Sequence, residues 1–277
     1  MKPLIPLIAC TALVCLFAAG PGAMASPLRI GIVPQYEVRQ LQQIWQPLLD
    51  HLEKQTGEHF ILVGSPTIPA FETEFLKGEF DFAYMNPFHL IMAHKKAGYL
   101  PLVRDVGRQL SGILVVSKSS GIGQVSALAG QTIAFPAPNA LGASLQMRQE
   151  LTDIFKLDFS PIYVKTHDSV YLNVLLGDAA AGGGVLSTLQ QQQPEIRAQL
   201  KIIHQTAPVA PHPIAFHPRV PNRLVQKVKN ALLDLGKTQA GKDLLSKIPI
   251  TTIGQASFED YHPLEAMDLE RFYVKQE

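Results

Sequence analysis

The order of elements in this sequence predicts an α/β protein of two lobes joined by two crossing strands, with the second lobe inserted into the first. Two observations carry that prediction. Short β-rich runs alternate with helical patterns, as expected of sheets covered by helices. The alternation then fails twice, near Leu102–Gly112 and near Gln205–Ile214, where strand leads to strand; the second of these segments is rich in proline (Pro208, Pro211, Pro213). One crossing out and one back give a discontinuous first lobe, residues 26–108 plus 208–277, around an inserted lobe of residues 109–207.

Strands are expected at Leu28–Val33, Phe60–Val63, Phe80–Met85, Ile113–Val116, Thr132–Phe135, Pro161–Lys165 and Lys201–His204, and their alternation with helices predicts parallel sheets. Leu41, Ile44, Trp45, Leu48, Leu49 and Leu52 recur three and four apart, so they form one apolar stripe on a helix, with Trp45 in the core. Leu224, Val225, Val228, Leu232 and Leu235 mark a second amphipathic helix. Gln190–Gln193 reads as an exposed helix end, Asp178 as part of a turn, and Gly121-Ile122-Gly123 as a turn and not a phosphate loop.

The first 25 residues have the three parts of a cleavable secretory signal: Lys2, an apolar run over Leu4–Ala19, and Ala23-Met24-Ala25 as an A-x-A site. Pro6, Gly20 and Pro21 interrupt that run, which argues against a retained span. Both cysteines, Cys10 and Cys15, fall inside the signal, so the exported chain is expected to have no thiol and no disulfide. Leu7-Ile8-Ala9-Cys10 resembles a lipoprotein box but lies too near Met1 to follow a full apolar core. Lys2 is the one charge removed with the signal. Of 24 basic residues 23 remain against 23 acidic ones, a balance that does not suggest a nucleic-acid partner or an anionic membrane surface.

Four stretches, in order, carry a resemblance. They are Leu28-Arg29-Ile30-Gly31-Ile32-Val33-Pro34; Gly78-Glu79-Phe80-Asp81-Phe82-Ala83-Tyr84-Met85-Asn86-Pro87-Phe88-His89; Leu128–Phe135 with Pro136–Ser144; and His167-Asp168-Ser169 with Val174–Ala181. With Pro213-Ile214-Ala215-Phe216 as a returning strand, the chain resembles the periplasmic phosphate/phosphite/phosphonate-binding proteins that serve ABC importers. The resemblance implies the type II periplasmic-binding-protein fold, a small anion held in the cleft between lobes, an inner-membrane ABC permease as partner, a monomer, and no catalysis, cofactor or metal. A second reading shares the fold: a stand-alone receptor that signals to a membrane histidine kinase or diguanylate cyclase.

The candidate site gathers at strand-to-helix junctions, where unpaired N–H groups and the helix dipole favour anions. Asn86 is placed to cap a helix starting at Pro87, Asn139 and Ser144 frame the next start, and His167 or Asp168 begins a third. Tyr84 has two readings, a phenol donating to an oxyanion or a core ring. His167 likewise is either a ligand donor, charged if protonated, or a capping histidine. Gln35 and Tyr36 follow the first strand, and the resemblance points them toward the same cleft.

The departures from the family concern the ligand. Asn139-Ala140-Leu141-Gly142-Ala143-Ser144 lacks most of the family's serine and threonine hydroxyls, and Gly182-Gly183-Gly184 stands where an acidic or amide residue is common. Glycine there is expected to leave room, so a different small oxyanion or a larger, less polar anion is equally allowed. The spacing of His89 with His94 and of His212 with His217 does not suit a metal pair on one helix face, and no hydrolase motif appears.

Overall fold

The computed structural model describes residues 26–248 and 250–275. The expected signal segment, with Cys10 and Cys15, lies outside the described residues. The chain opens as β1 (Leu28–Ile32), α1 (Val38–Thr56), β2 (Phe60–Gly64), α2 (Ile68–Leu76), β3 (Phe82–Tyr84), α3 (Pro87–Ala97) and β4 (Leu100–Asp105). After a first connecting segment come β5 (Gly112–Ser117), β6 (Thr132–Phe135), a π-helix at Leu141–Gln146 running into α4 (Met147–Asp153), and β7 (Ser160–Tyr163). Next are α5 (His167–Leu176), β8 (Ala181–Val185), α6 (Leu186–Gln190), α7 (Pro194–Gln199) and β9 (Leu200–Gln205). A second connection leads to β10 (Ile214–Phe216), α8 (Asn222–Leu235), α9 (Gln239–Leu245), β11 (Ile253–Gln255), α10 (His262–Glu265) and a 3-10 turn, Leu269–Phe272. No described helix is long and apolar enough to cross a membrane.

Two sheets result, a six-stranded one in the order β11-β4-β10-β3-β1-β2 and a five-stranded one in the order β7-β6-β8-β5-β9. Two connecting segments join them side by side, bridged by Leu110 and Val209, whose amides bond to each other's carbonyls at 2.8 and 2.9 Å. Both sheets are mixed, a correction to the parallel sheets expected from alternation. β10 runs antiparallel to β3 and β4, and β5 runs antiparallel to β8 and β9. The reason lies in the connections: a strand reached without a helical crossover enters its sheet in the opposite sense.

The larger core lies under α1 and α8, whose stripes bury Leu41, Trp45, Leu48, Leu49 and Leu52 and, opposite, Val225, Val228, Leu232 and Leu235. α1 stops at Gly57, whose left-handed backbone (φ 74°) lets its N–H reach the Glu53 carbonyl. β8 was not legible as a strand, because Ala181-Gly182-Gly183-Gly184-Val185 has little β propensity. Packing selects glycine at three successive positions. A Cβ on Gly183 would overlap the Ala143 carbonyl and stand 2.6 Å from the Phe135 ring, while Gly182 faces Val170 and Val174 and Gly184 faces Tyr171. The π-helix therefore lies directly on the sheet, with all six of its residues buried.

Candidate functional site

β1 and β3 are neighbouring inner strands of the first sheet, and the registers of β1, β3 and β10 align Ile32, Tyr84 and Ile214 at the carboxyl edge of β1 and β3. In open α/β sheets ligands bind outside such an edge. The chain leaving β1 brings Gln35 and Tyr36 there, and the chain leaving β3 brings Asn86. Asn86 caps α3 by accepting the His89 N–H at 2.8 Å, with Pro87 as the first helical residue, as the Asn-Pro pair predicts.

Two adjoining chambers occupy the space between the lobes. The outer, about 190 Å³, is walled by Gln35, Tyr84 and His212 from the first lobe, Arg108, Gln109 and Ser111 from the connection, and Val185, Ser187 and Gln190 from the second lobe. The inner, about 20 Å³, lies where α3, α5 and the π-helix begin; Asn86, His167, Ala140, Leu141, Gly142 and Ala143 line it. Gln35, Leu110, Val185 and His212 face both chambers. The inner chamber has room for about one water molecule.

Tyr84 is both core and wall. Its ring lies 4.9 Å from the buried Trp45 on one side and stacks on His212 at 5.3 Å on the other, while it faces the outer chamber. Burial pushes its phenol well above the ordinary range, so it stays neutral and able to donate. His167 is also neutral: burial lowers its pKa to about 4, and its Nδ1 lies 3.3 Å from the Thr188 hydroxyl. The neutral ring, not the protonated one, fits this position, because a fully buried imidazole with no acidic partner among the described residues loses more hydration than it gains.

Asn139 and Ser144 do not face either chamber. The Asn139 amide donates to the Glu72 carboxyl and the Val274 carbonyl, both at 2.9 Å, and accepts the Val274 N–H at 2.9 Å. The Ser144 hydroxyl accepts from Arg148 Nε at 3.1 Å, and Arg148 also donates to the carbonyls of Pro138 and Phe272 at 2.6 and 2.7 Å. Arg271 adds a pair with Asp153. Together these hold Arg271–Val274, near the C-terminal end of the described residues, as a strap from the first lobe onto α4 of the second. Tyr36 makes a separate cross-cleft contact, its hydroxyl donating to Gln191; burial and the nearby Asp168 push that phenol up to about 12. The room expected from the glycines of β8 is also corrected: the π-helix backbone and the Phe135 ring fill it.

Sequence reasoning missed Arg108, Ser111, Ser187, Gln190 and His212. Among the described residues lining the chambers, Arg108 is the one with a full charge. Its Nε lies 3.0 Å from Asp105, which also accepts from Thr251 N–H at 2.6 Å and Gly107 N–H at 2.8 Å. Burial raises the Asp105 pKa, but these bonds outweigh it and hold the carboxyl below its usual range. A neighbour is His212, whose Nε2 is 3.3 Å from the Gln35 amide nitrogen and whose pKa falls to about 3, through burial first and then through nearby positive groups. The available signal was positional, since Arg108 and His212 both lie in the segments where alternation of strand and helix fails.

Known proteins agree with this architecture. Similar solved structures include a binding-protein component of an ABC phosphonate transporter from Pseudomonas aeruginosa, with TM-score 0.80, 16% identity, and coverage of 89% of this chain and 87% of that one. Another is PhnD1 of Prochlorococcus marinus in complex with methylphosphonate, with TM-score 0.80, 16% identity, and coverage of 88% and 97%. A third, a Xanthomonas citri protein bound to chloride, gives TM-score 0.75 at 16% identity over 90% and 99% of the two chains. At such identities these neighbours establish the two-lobed type II fold. The family model described as "ABC transporter, phosphonate, periplasmic substrate-binding protein" matches residues 30–261, and nothing in that match supports the stand-alone sensor. The chain belongs to this family of periplasmic substrate-binding proteins of phosphonate ABC transporters.

Proposed function

We propose that this protein captures a small phosphonate-like oxyanion in the outer chamber and presents it to the permease of an ABC importer, as a monomer and without catalysis. The observation that carries the reading is Arg108, the one fully charged side chain among the described residues lining a cleft with donors from both lobes. A planar guanidinium is well suited to tetrahedral oxyanions. The hydroxyls of Tyr84, Ser111 and Ser187 and the amides of Gln35 and Gln190 supply further contacts. Asn86 and His167 bound the inner chamber beyond.

The first lobe is residues 26–108 plus 208–277 and the second is residues 109–207, bounds supported by the division of strands between the sheets. Arg108 then sits at the hinge, where a ligand bound to it touches both lobes, and Tyr36–Gln191 closes the mouth. Residues 1–25 direct export and are removed. Purified protein lacking residues 1–25 is expected to melt at a higher temperature with methylphosphonate, phosphite or phosphate, by about 2.7 kcal/mol of added stability at a hundredfold excess over Kd. No rise with any of these anions at millimolar concentration excludes the reading.

A further inference from the structure

We infer that the ligand is bound as a monoanion and that the cleft discriminates against a second negative charge. The inference rests on the outer chamber being the oxyanion site. Its basis is the charge balance of the walls. Arg108 is shared with Asp105, which is fixed as a carboxylate by bonds from Thr251 and Gly107. A singly charged oxyanion thus meets one guanidinium that already has a carboxylate partner, and a second charge finds no further cation among the described lining residues.

The surrounding elements reinforce this. His212, beside β10, and His167, at the start of α5, are both neutral because they are buried. From α2 the buried Glu72 carboxyl accepts from Asn139 and is paired with His89 Nε2 at 3.0 Å, so it is directed away from the ligand, and Asp168 lies near Tyr36. The helix starts that would stabilise a dianion face the smaller chamber, about 20 Å³, with alanine and glycine where hydroxyls would bind oxygens. A monoanion keeps one oxygen protonated or replaced, and the amide oxygens of Gln109 and Gln190 are acceptors suited to that O–H. The small substituent or a water then occupies the inner chamber.

The test is calorimetric titration with methylphosphonate and methanesulfonate at pH values from about 6 to 9, the interval in which a phosphonate passes from one charge to two. Methanesulfonate keeps one charge throughout and reports any dependence belonging to the protein. The expected result is a methylphosphonate affinity that falls about tenfold per pH unit above the ligand's second pKa, with methanesulfonate constant. A methylphosphonate affinity that is constant or rises with pH overturns the monoanion inference and leaves the oxyanion site standing. Absence of binding by both ligands and by inorganic phosphate at every pH overturns the site itself.

Discussion

Tyr84, His167 and His212 show how burial sets the chemistry of this cleft. Each keeps a neutral ring with a hydrogen-bonding edge, because an ion at these depths would lose its hydration; for Tyr84 the nearby Arg108 offsets only part of that loss. The stability consequence for the two histidines follows from their lowered pKa values, about 4 for His167 and about 3 for His212, against 6.5 when unfolded. Both states are neutral above pH 6.5, so there the rings' contribution is complete. As pH falls below that, the unfolded chain takes up protons the folded one refuses, and stability drops by on the order of 1.4 kcal/mol per pH unit for each ring until the folded pKa is reached. Urea unfolding between about pH 7 and 5 should show this loss, and His167→Asn should reduce the slope. A slope unchanged in that variant would mean the ring is already protonated when folded. Tyr84 was legible as a candidate because it ends a strand, but its double role as core and wall was not; that depends on Trp45 and His212 meeting it from distant parts of the chain.

Among the elements, those with strong local signals were legible and those made by packing were not. The stripes of α1 and α8 and the Asn86-Pro87 cap follow from spacing and residue type alone. β8 and the π-helix do not, since three glycines in a row describe a strand only when a neighbouring backbone must come close. The C-terminal strap was hidden for a related reason: Asn139 and Ser144 look like ligand contacts in sequence, yet they hold Val274 and Arg148. Arg148 is the centre of that arrangement, bonded to Ser144, Pro138 and Phe272, with its guanidinium 5.9 Å from the Phe272 ring. Arg148→Ala should lower stability by about 1–3 kcal/mol, because it leaves two partly buried carbonyls without this donor and frees the strap. Urea denaturation checks this, and a loss within experimental error would show that the strap adds nothing to the folded state.

At the level of the whole molecule, two sheets meet along a pair of connecting segments, and the cleft's charge lies on one of them. The crossings were legible as places where helices go missing from the pattern. Their chemical content was not, because Arg108 with Asp105 three residues before it looks like any surface ion pair until Tyr84 and Ser187 are brought around it. With the guanidinium on a connecting segment, the proposed anion would be contacted from both lobes at once, which would connect binding to closure. The most direct test is titration of methylphosphonate into the wild-type protein and into Arg108→Gln at mildly acid pH, with circular dichroism showing that both are folded. Saturable binding to the wild type is expected, with an affinity about 30- to 100-fold weaker in the variant, corresponding to about 2–3 kcal/mol for a lost charged contact. Equal affinity in the two proteins, or no binding by the wild type, would contradict that expectation.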